Sequence, residues 1–191
     1  MDGTKSNFEV EEQVTPFTQE LLARAKYSWE VQNIGDLNSP IPGLLQDIED
    51  SLKGDQGGAE SNTRRFYAVI VHGEVLGVSE VVVSMAGNTL RSIKQIDTHL
   101  CPSIHDKVLF DDNEEAKSKS IRIYLLALLH ILKVHEVTRA NTVKLYARYP
   151  VHLEFFERMV ELIQEDEKTK SLDPIIKGRW LEIRGHLGEQ K

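Results

Sequence analysis

The middle of the chain gathers side chains that could do chemistry: Glu80, then Asp97, His99 and Cys101 on alternate residues, then His105 beside Asp106. Residues two apart on an extended strand share a face, so His99 and Cys101 can meet. A thiolate beside an imidazole is the recurring arrangement for covalent catalysis. His99, Cys101, His105 and Asp106 are also metal-ligand types. The spacing His-x-Cys-x-x-x-His matches no usual zinc knuckle and specifies no fourth ligand, so no metal is expected. His130 and His135 lie five apart, which turns them away from a common helical face.

A second cluster is Lys117-Ser118-Lys119-Ser120-Ile121. Placed at the start of a helix, it would offer charge, hydroxyls and backbone amides to a phosphate group. In the bland alternative, Ser118 or Ser120 is an ordinary helix cap and the lysines are solvated.

The composition narrows the classes of function. The 191 residues suit one domain, 1–191, with an apolar fraction of 40% that can fill a core. The formal charge of −7 argues against nucleic-acid binding, which rests on clustered positive charge. An acidic surface is compatible with a cationic partner such as an amine. Cys101 is the only cysteine, so no internal disulfide forms and a reducing, cytoplasmic setting is expected. The most apolar stretch, Ile121 to Val137, is broken by Arg122, His130, Lys133 and His135, which leaves no membrane span.

These groups must be positioned by an α/β series. Residues 1–6 are expected to fray, and Asn7 to Val14 alternates as a first strand. Thr15-Pro16 and Ser39-Pro40 each read as a helix start, followed by Leu21, Leu22, Ala25 and Trp29 and by Leu44, Leu45, Ile48 and Leu52 at helical spacing. Gly54 to Asn62 has no apolar period and reads as a surface loop. Arg65–His72, Val75–Met85 and Leu90–Leu100 are rich in β-branched and aromatic residues and are separated by hairpin signals, which predicts an antiparallel meander. The interval 103–118 reads as an inserted polar loop before a long, widely buried helix. Thr142–Ala147, Val151–Ile163 and Arg179–Arg184 then give strand, helix and strand, with Gln164–Gly178 looped out.

This order resembles the GNAT N-acetyltransferase family. The segments Gly73-Glu74-Val75-Leu76-Gly77 and Ile93 to Pro102 look like that family's turn into its third strand and its fourth strand. The resemblance implies a mixed α/β sheet, antiparallel in its first half and strand-helix-strand in its second, with helices on both faces. It also implies a gap between the strands Ile93–Leu100 and Thr142–Ala147, into which coenzyme A wedges. The activity it implies is transfer of an acyl group from acetyl-CoA, or another acyl-CoA, to an amine on a small molecule or a protein. A homodimer along the sheet edge fits the same picture.

On that resemblance, Leu100, Cys101 and Pro102 offer backbone groups to the pantetheine, and Lys117, Ser118, Lys119, Ser120 and Ile121 meet the pyrophosphate. The base comes from Glu80, Asp97 or His99, with Asp97 best placed. The family's cofactor loop carries glycines, whereas this chain has none between Asn88 and Gly178. The tyrosine that often protonates the departing thiolate is replaced by Phe156, so Tyr149 or Tyr146 must serve, Tyr149 being the choice. These departures support an alternative, a GNAT-like protein-interaction module without catalysis.

Overall fold

The computed structural model describes residues 12–32, 41–54, 62–86, 89–109, 111, 113–169 and 171–186. The elements run β1 (Glu12–Pro16), α1 (Gln19–Gln32), α2 (Ile41–Gly54), β2 (Asn62–Val71), β3 (Glu74–Ala86) and β4 (Thr89–Leu100). Next come α3 (Pro102–Leu109), α4 (Glu114–Thr138), β5 (Thr142–Tyr146), α5 (Pro150–Glu165), β6 (Asp173–Lys177) and β7 (Trp180–Arg184). The strands form one sheet in the order β1-β2-β3-β4-β5-β7-β6. Each neighbouring pair is antiparallel except β4 and β5. This is the expected mixed sheet with an antiparallel first half.

The predicted β2–β3 hairpin closes through His72 and Gly73, both at positive φ (52° and 78°). A two-residue turn of that kind follows the right-handed twist of the flanking strands. Alternation then divides the sheet into two faces. The Tyr67 ring packs 4.8 Å from that of His130, which places α4 on its face. Arg64 and Phe66 look the other way, where Arg64 reaches Asp47 of α2 at 2.7 Å. Helices therefore cover both faces.

The core has two parts. One joins α1, α2 and α3 to the sheet around the fully buried Trp29, whose Nε1 donates to the Val75 carbonyl at 2.8 Å. The other lies under α4 and α5, around Leu128, Ile131, Phe156, Leu145 and Ile183. Gly77 fixes how closely α4 lies on β3, because a Cβ there would stand 2.5 Å from Ile123 Cγ2. No side chain fits between the two elements at that point.

Several boundaries differ from the sequence expectation. Thr15 and Pro16 belong to β1, paired with Ala68 and Tyr67. An edge strand tolerates the missing proline N–H. The helix starts later, and Thr18 Oγ1 caps it by accepting from Leu21 N at 3.2 Å. The interval expected to be an inserted loop is largely helical: α3 takes up 102–109 and α4 already begins at Glu114. Asn113 is the cap, its side chain accepting from Ala116 N at 2.9 Å. The sequence Asn113-Glu114-Glu115-Ala116 has a cap residue and first-turn acids, both start signals. β6 was also hidden, because Pro174 and the flanking polar residues mask a short edge strand. Residues 1–11, the Ser39-Pro40 start and most of the Gly54–Asn62 loop lie outside the described residues.

Candidate active site

The parallel pairing of β4 with β5 runs from Ser92↔Thr142 to Gln95↔Leu145 and stops. β4 continues against β3 as far as Leu100, paired with Gly77. β5 meanwhile stays with β7 through Tyr146↔Trp180, and Ala147 N bonds to the Arg179 carbonyl at 2.8 Å. Among the described residues, Ile96 to Leu100 therefore has no strand on its β5 side. At roughly 3.3 Å per residue the opening runs about 16 Å. It is the gap that the resemblance led us to expect.

On the α2 face of the sheet, beside this opening, charged groups form a continuous chain. Arg64 donates to Asp47 of α2 and to Glu80 Oε1, each at 2.7 Å. Glu80 Oε2 lies 3.1 Å from His99 Nε2, and His99 Nδ1 lies 3.7 Å from Asp97 Oδ2. Asp97 Oδ1 accepts from Thr98 N at 2.8 Å, and its Oδ2 is paired with the Arg148 guanidinium. Burial would raise the carboxyl of Glu80, but hydrogen bonds from His99 and Arg64 prevail and hold it at about 2. His99 is thus held between two carboxylates, with Nε2 towards Glu80 and Nδ1 towards Asp97.

At the other border of the opening, α4 and α5 bring together Tyr124, Tyr149, His152 and Phe156. The Tyr124 ring stacks on His152 (3.9 Å, 25°), and Tyr149 meets His152 edge-on at 5.1 Å. Tyr149 ends the β5–α5 connection in an extended conformation that precedes Pro150. Its hydroxyl is buried and makes no hydrogen bond of good geometry, and both ring nitrogens of His152 are likewise buried without partners. Burial raises Tyr149, with Arg148 opposing, so the phenol stays protonated. Burial, helped by Arg179, lowers His152 to about 4, so this imidazole is neutral.

Among the residues singled out from the sequence, Asp97 and Tyr149 come to the same opening, joined by Arg148. Glu80 and His99 share their site, whereas the Tyr146 ring packs 5.0 Å from that of Trp180 with the Arg179 guanidinium over it. Leu100, Cys101 and Pro102 are buried at the end of β4. The Cys101 N–H is committed to the Leu76 carbonyl at 2.9 Å. Its thiol is pushed up by burial and lies 3.5 Å from Ser103 Oγ, which does not favour a nucleophile.

The pyrophosphate group of residues is not arranged as expected. Lys117, Ser118, Lys119, Ser120 and Ile121 sit inside α4, past its first turn, so their amides belong to the helix. Lys117 pairs with Glu114 at 2.8 Å and Lys119 with Glu115 at 2.7 Å. Ser120 is fully buried and donates back to the Lys117 carbonyl at 2.8 Å. In their place α3 follows β4 directly and sets His105 6.4 Å from the Tyr149 ring.

Sequence reasoning missed His152 and Arg148. The signal for His152 was a histidine in the first turn of an amphipathic helix, three residues after Tyr149. Arg148 had no pattern to mark it. Two cavities lie apart from the opening, neither lined by a residue of β4, β5 or α5. One of about 670 Å³ between α2 and β2 is bordered by Asp47, Asp50, Arg64 and Phe66. The other, about 340 Å³, lies between α3, the start of α4 and the β2–β3 turn, without a residue of β5 or α5. Among the described residues no helix is long and apolar enough to cross a membrane.

No family model matches the chain, and no curated protein matches it by sequence. Among solved structures, it is similar to a GCN5-related N-acetyltransferase from Kribbella flavida, at 12% identity and a TM-score of 0.43 over 77% of this chain and 32% of that one. It thus spans about a third of that protein's length. It is also similar to the PaiA N-acetyltransferase from Thermoplasma acidophilum in complex with coenzyme A (13% identity, TM-score 0.42, 92% and 99% covered). A third likeness is to the ribosomal-protein-S18-alanine N-acetyltransferase from Escherichia coli (8%, 0.43, 95% and 97%). Similarity at this level says nothing of substrate or activity. The element order and the opened parallel pair are those that the resemblance to the GNAT fold implies.

Proposed function

We propose that this protein transfers an acyl group from an acyl-CoA, acetyl-CoA in the first instance, to an amine, by direct attack of the amine on the thioester. The observation that carries this reading is the β4–β5 opening flanked by His99 and Asp97 on one side and by the unpartnered Tyr149 and His152 on the other. A buried polar atom without a partner is costly, and pantetheine brings amide donors and acceptors that would satisfy such atoms.

In this reading the amine reaches His99 from the α2 face of the sheet, on which the carboxylates of Glu80 and Asp97 also lie. Both Asp97 oxygens are engaged, by Thr98 N and Arg148. We therefore assign proton removal to His99, set between Glu80 and Asp97. The free base attacks the thioester carbonyl, and a tetrahedral intermediate forms. Its collapse breaks the C–S bond, and the Tyr149 hydroxyl, buried and protonated, gives its proton to the departing thiolate. The second proton that the nitrogen gives up on becoming an amide restores the phenol through water, and the proton taken by His99 leaves to solvent. The products are an amide and coenzyme A.

The test is release of free thiol from acetyl-CoA in the presence of a panel of primary amines: polyamines, amino sugars, and peptides with free N-termini or lysines. Amine-dependent release that disappears in His99→Gln supports the reading. Its absence with every amine class would contradict it.

The alternative, a GNAT-like interaction module without catalysis, has an observation of its own: the paired Lys117 and Lys119 and the acids Glu114 and Glu115 at the helix start, which repel a diphosphate. Coenzyme A binding separates the two: the enzyme reading expects it, and the module reading expects none.

A further inference from the structure

Near its C-terminal end, α4 meets His186, the second residue after β7, about 16 Å along the helix from Tyr124. Two imidazoles and a carboxylate come together there. His135 is 1% exposed and His186 7%. Their rings stack with centroids 4.5 Å apart and planes 19° from parallel. Glu136, half-buried, lies with a carboxylate oxygen 3.9 Å from the Nδ1 of each histidine. One donor atom from each of the three residues lies within 4.8 Å of the others.

The nitrogens themselves point to a ligand. His135 Nε2 and His186 Nδ1 are buried without a hydrogen-bond partner. Buried polar atoms in native proteins are nearly always satisfied, and imidazole nitrogen is the commonest metal donor. The backbone supports the placement. Gly185 has φ 81° and lies so close to Ser171 that a Cβ would stand 2.2 Å from the Ser171 carbonyl oxygen. That turn, open only to glycine, carries His186 onto the end of α4. The C-terminal end of a helix also favours a cation.

We propose that His135, Glu136 and His186 form a site for a divalent transition-metal ion of the zinc type, with two imidazole nitrogens and one carboxylate oxygen as ligands and a fourth position open to water. The donor set suits zinc better than the oxygen-seeking magnesium or calcium. Around tetrahedral zinc the donor atoms stand roughly 3.3 Å apart. The three side chains must therefore close in by up to about 1.5 Å and the stacked rings must part, with the half-exposed Glu136 able to turn towards them. The ion would tie the end of the longest helix to the end of the C-terminal strand. The site is separate from the proposed acyl-transfer residues and does not depend on that reading.

The full chain, freed of metal with a chelator, is titrated with Zn(II) alone and in parallel with Co(II), whose visible spectrum reports tetrahedral coordination. The expected result is one ion per chain, the intense absorption of tetrahedral cobalt, and a thermal midpoint that climbs with zinc concentration. Loss of a ligand should exceed the roughly 10–100-fold cost of losing a ligand's supporting partner. Glu136→Gln and His186→Gln should each weaken binding by about a hundredfold or more, while His105→Gln leaves it unchanged. If His186→Gln fails to fold, Glu136→Gln on the half-exposed residue still decides. Absence of binding at about 0.1 mM zinc, or equal binding by the wild type and Glu136→Gln, would overturn the proposal.

Discussion

The Tyr124 hydroxyl donates to the Tyr146 carbonyl oxygen at 2.7 Å, one residue past the last pair between β4 and β5. Two strands that separate leave backbone groups without ladder partners, and such groups inside a protein must be met elsewhere. A side chain from α4 meets this one. The phenol is fully buried and its ionisation is pushed up by that burial, so it remains a donor. The opening between the strands is thus a built feature held by a helix.

Removing that donor should weaken the fold without emptying the core. Tyr124→Phe keeps the ring on His152 and strips one hydrogen bond, leaving a buried carbonyl unsatisfied. We expect a loss of about 1–2 kcal/mol in denaturant unfolding. A change within ±0.3 kcal/mol, roughly the scatter of such measurements, would mean that water replaces the hydroxyl.

Tyr149 should behave in the opposite way. Its hydroxyl makes no hydrogen bond of good geometry, so Tyr149→Phe should leave stability unchanged or slightly raised. If the phenol protonates the leaving thiolate, the same substitution should lower kcat by about 10²-fold with little change in KM. A full-rate Tyr149→Phe enzyme would remove the residue from the mechanism.

Acid sensitivity follows from Glu80. Its carboxyl is depressed from the ordinary 4.5 to about 2 in the folded protein, with burial opposing and the His99 and Arg64 hydrogen bonds prevailing. A depressed carboxyl contributes stability that is fully present above the ordinary value and lost as pH falls through the folded value. The stability gap between wild type and Glu80→Gln should therefore be about 3 kcal/mol at neutral pH. It should shrink as pH falls from 4.5 towards 2. Urea titrations of both proteins across that range read it directly, and a gap that does not vary with pH would contradict the assignment.

Gly77 offers a steric test. Gly77→Ala places a methyl 2.5 Å from Ile123 Cγ2, which must push α4 off β3 and cost about 1–3 kcal/mol. Ile123→Ala removes the obstructing atom and opens a void of its own. The double substitution should be less destabilising than the sum of the singles by about 1 kcal/mol or more.

Long periodic or strand-rich segments made the framework legible from the sequence. The three strands of the meander, the His72-Gly73 turn and the amphipathic faces of α2 and α5 all carry local signals. The starts of α1 and α4 were misread because a proline at an edge strand and a serine inside a helix imitate caps, while Thr18 and Asn113 did the capping. α3 stayed hidden because a short helix carries too few turns for a clear period. The site was half legible. Asp97 and His99 share a strand, and their alternation is visible. Their joining to Arg148, and the pairing of Lys117 and Lys119 with the preceding glutamates, depend on where the backbone brings residues together.

The central claim is that the opening between β4 and β5 receives coenzyme A. Calorimetric titration of the protein with coenzyme A, free of any acceptor, tests it most directly. The account predicts one site per chain with a Kd of about 1 mM or tighter, weakened in His152→Leu, which removes the orphaned nitrogens from the border of the opening. No heat of binding at millimolar coenzyme A, in a sample whose fold is intact by circular dichroism, would contradict it.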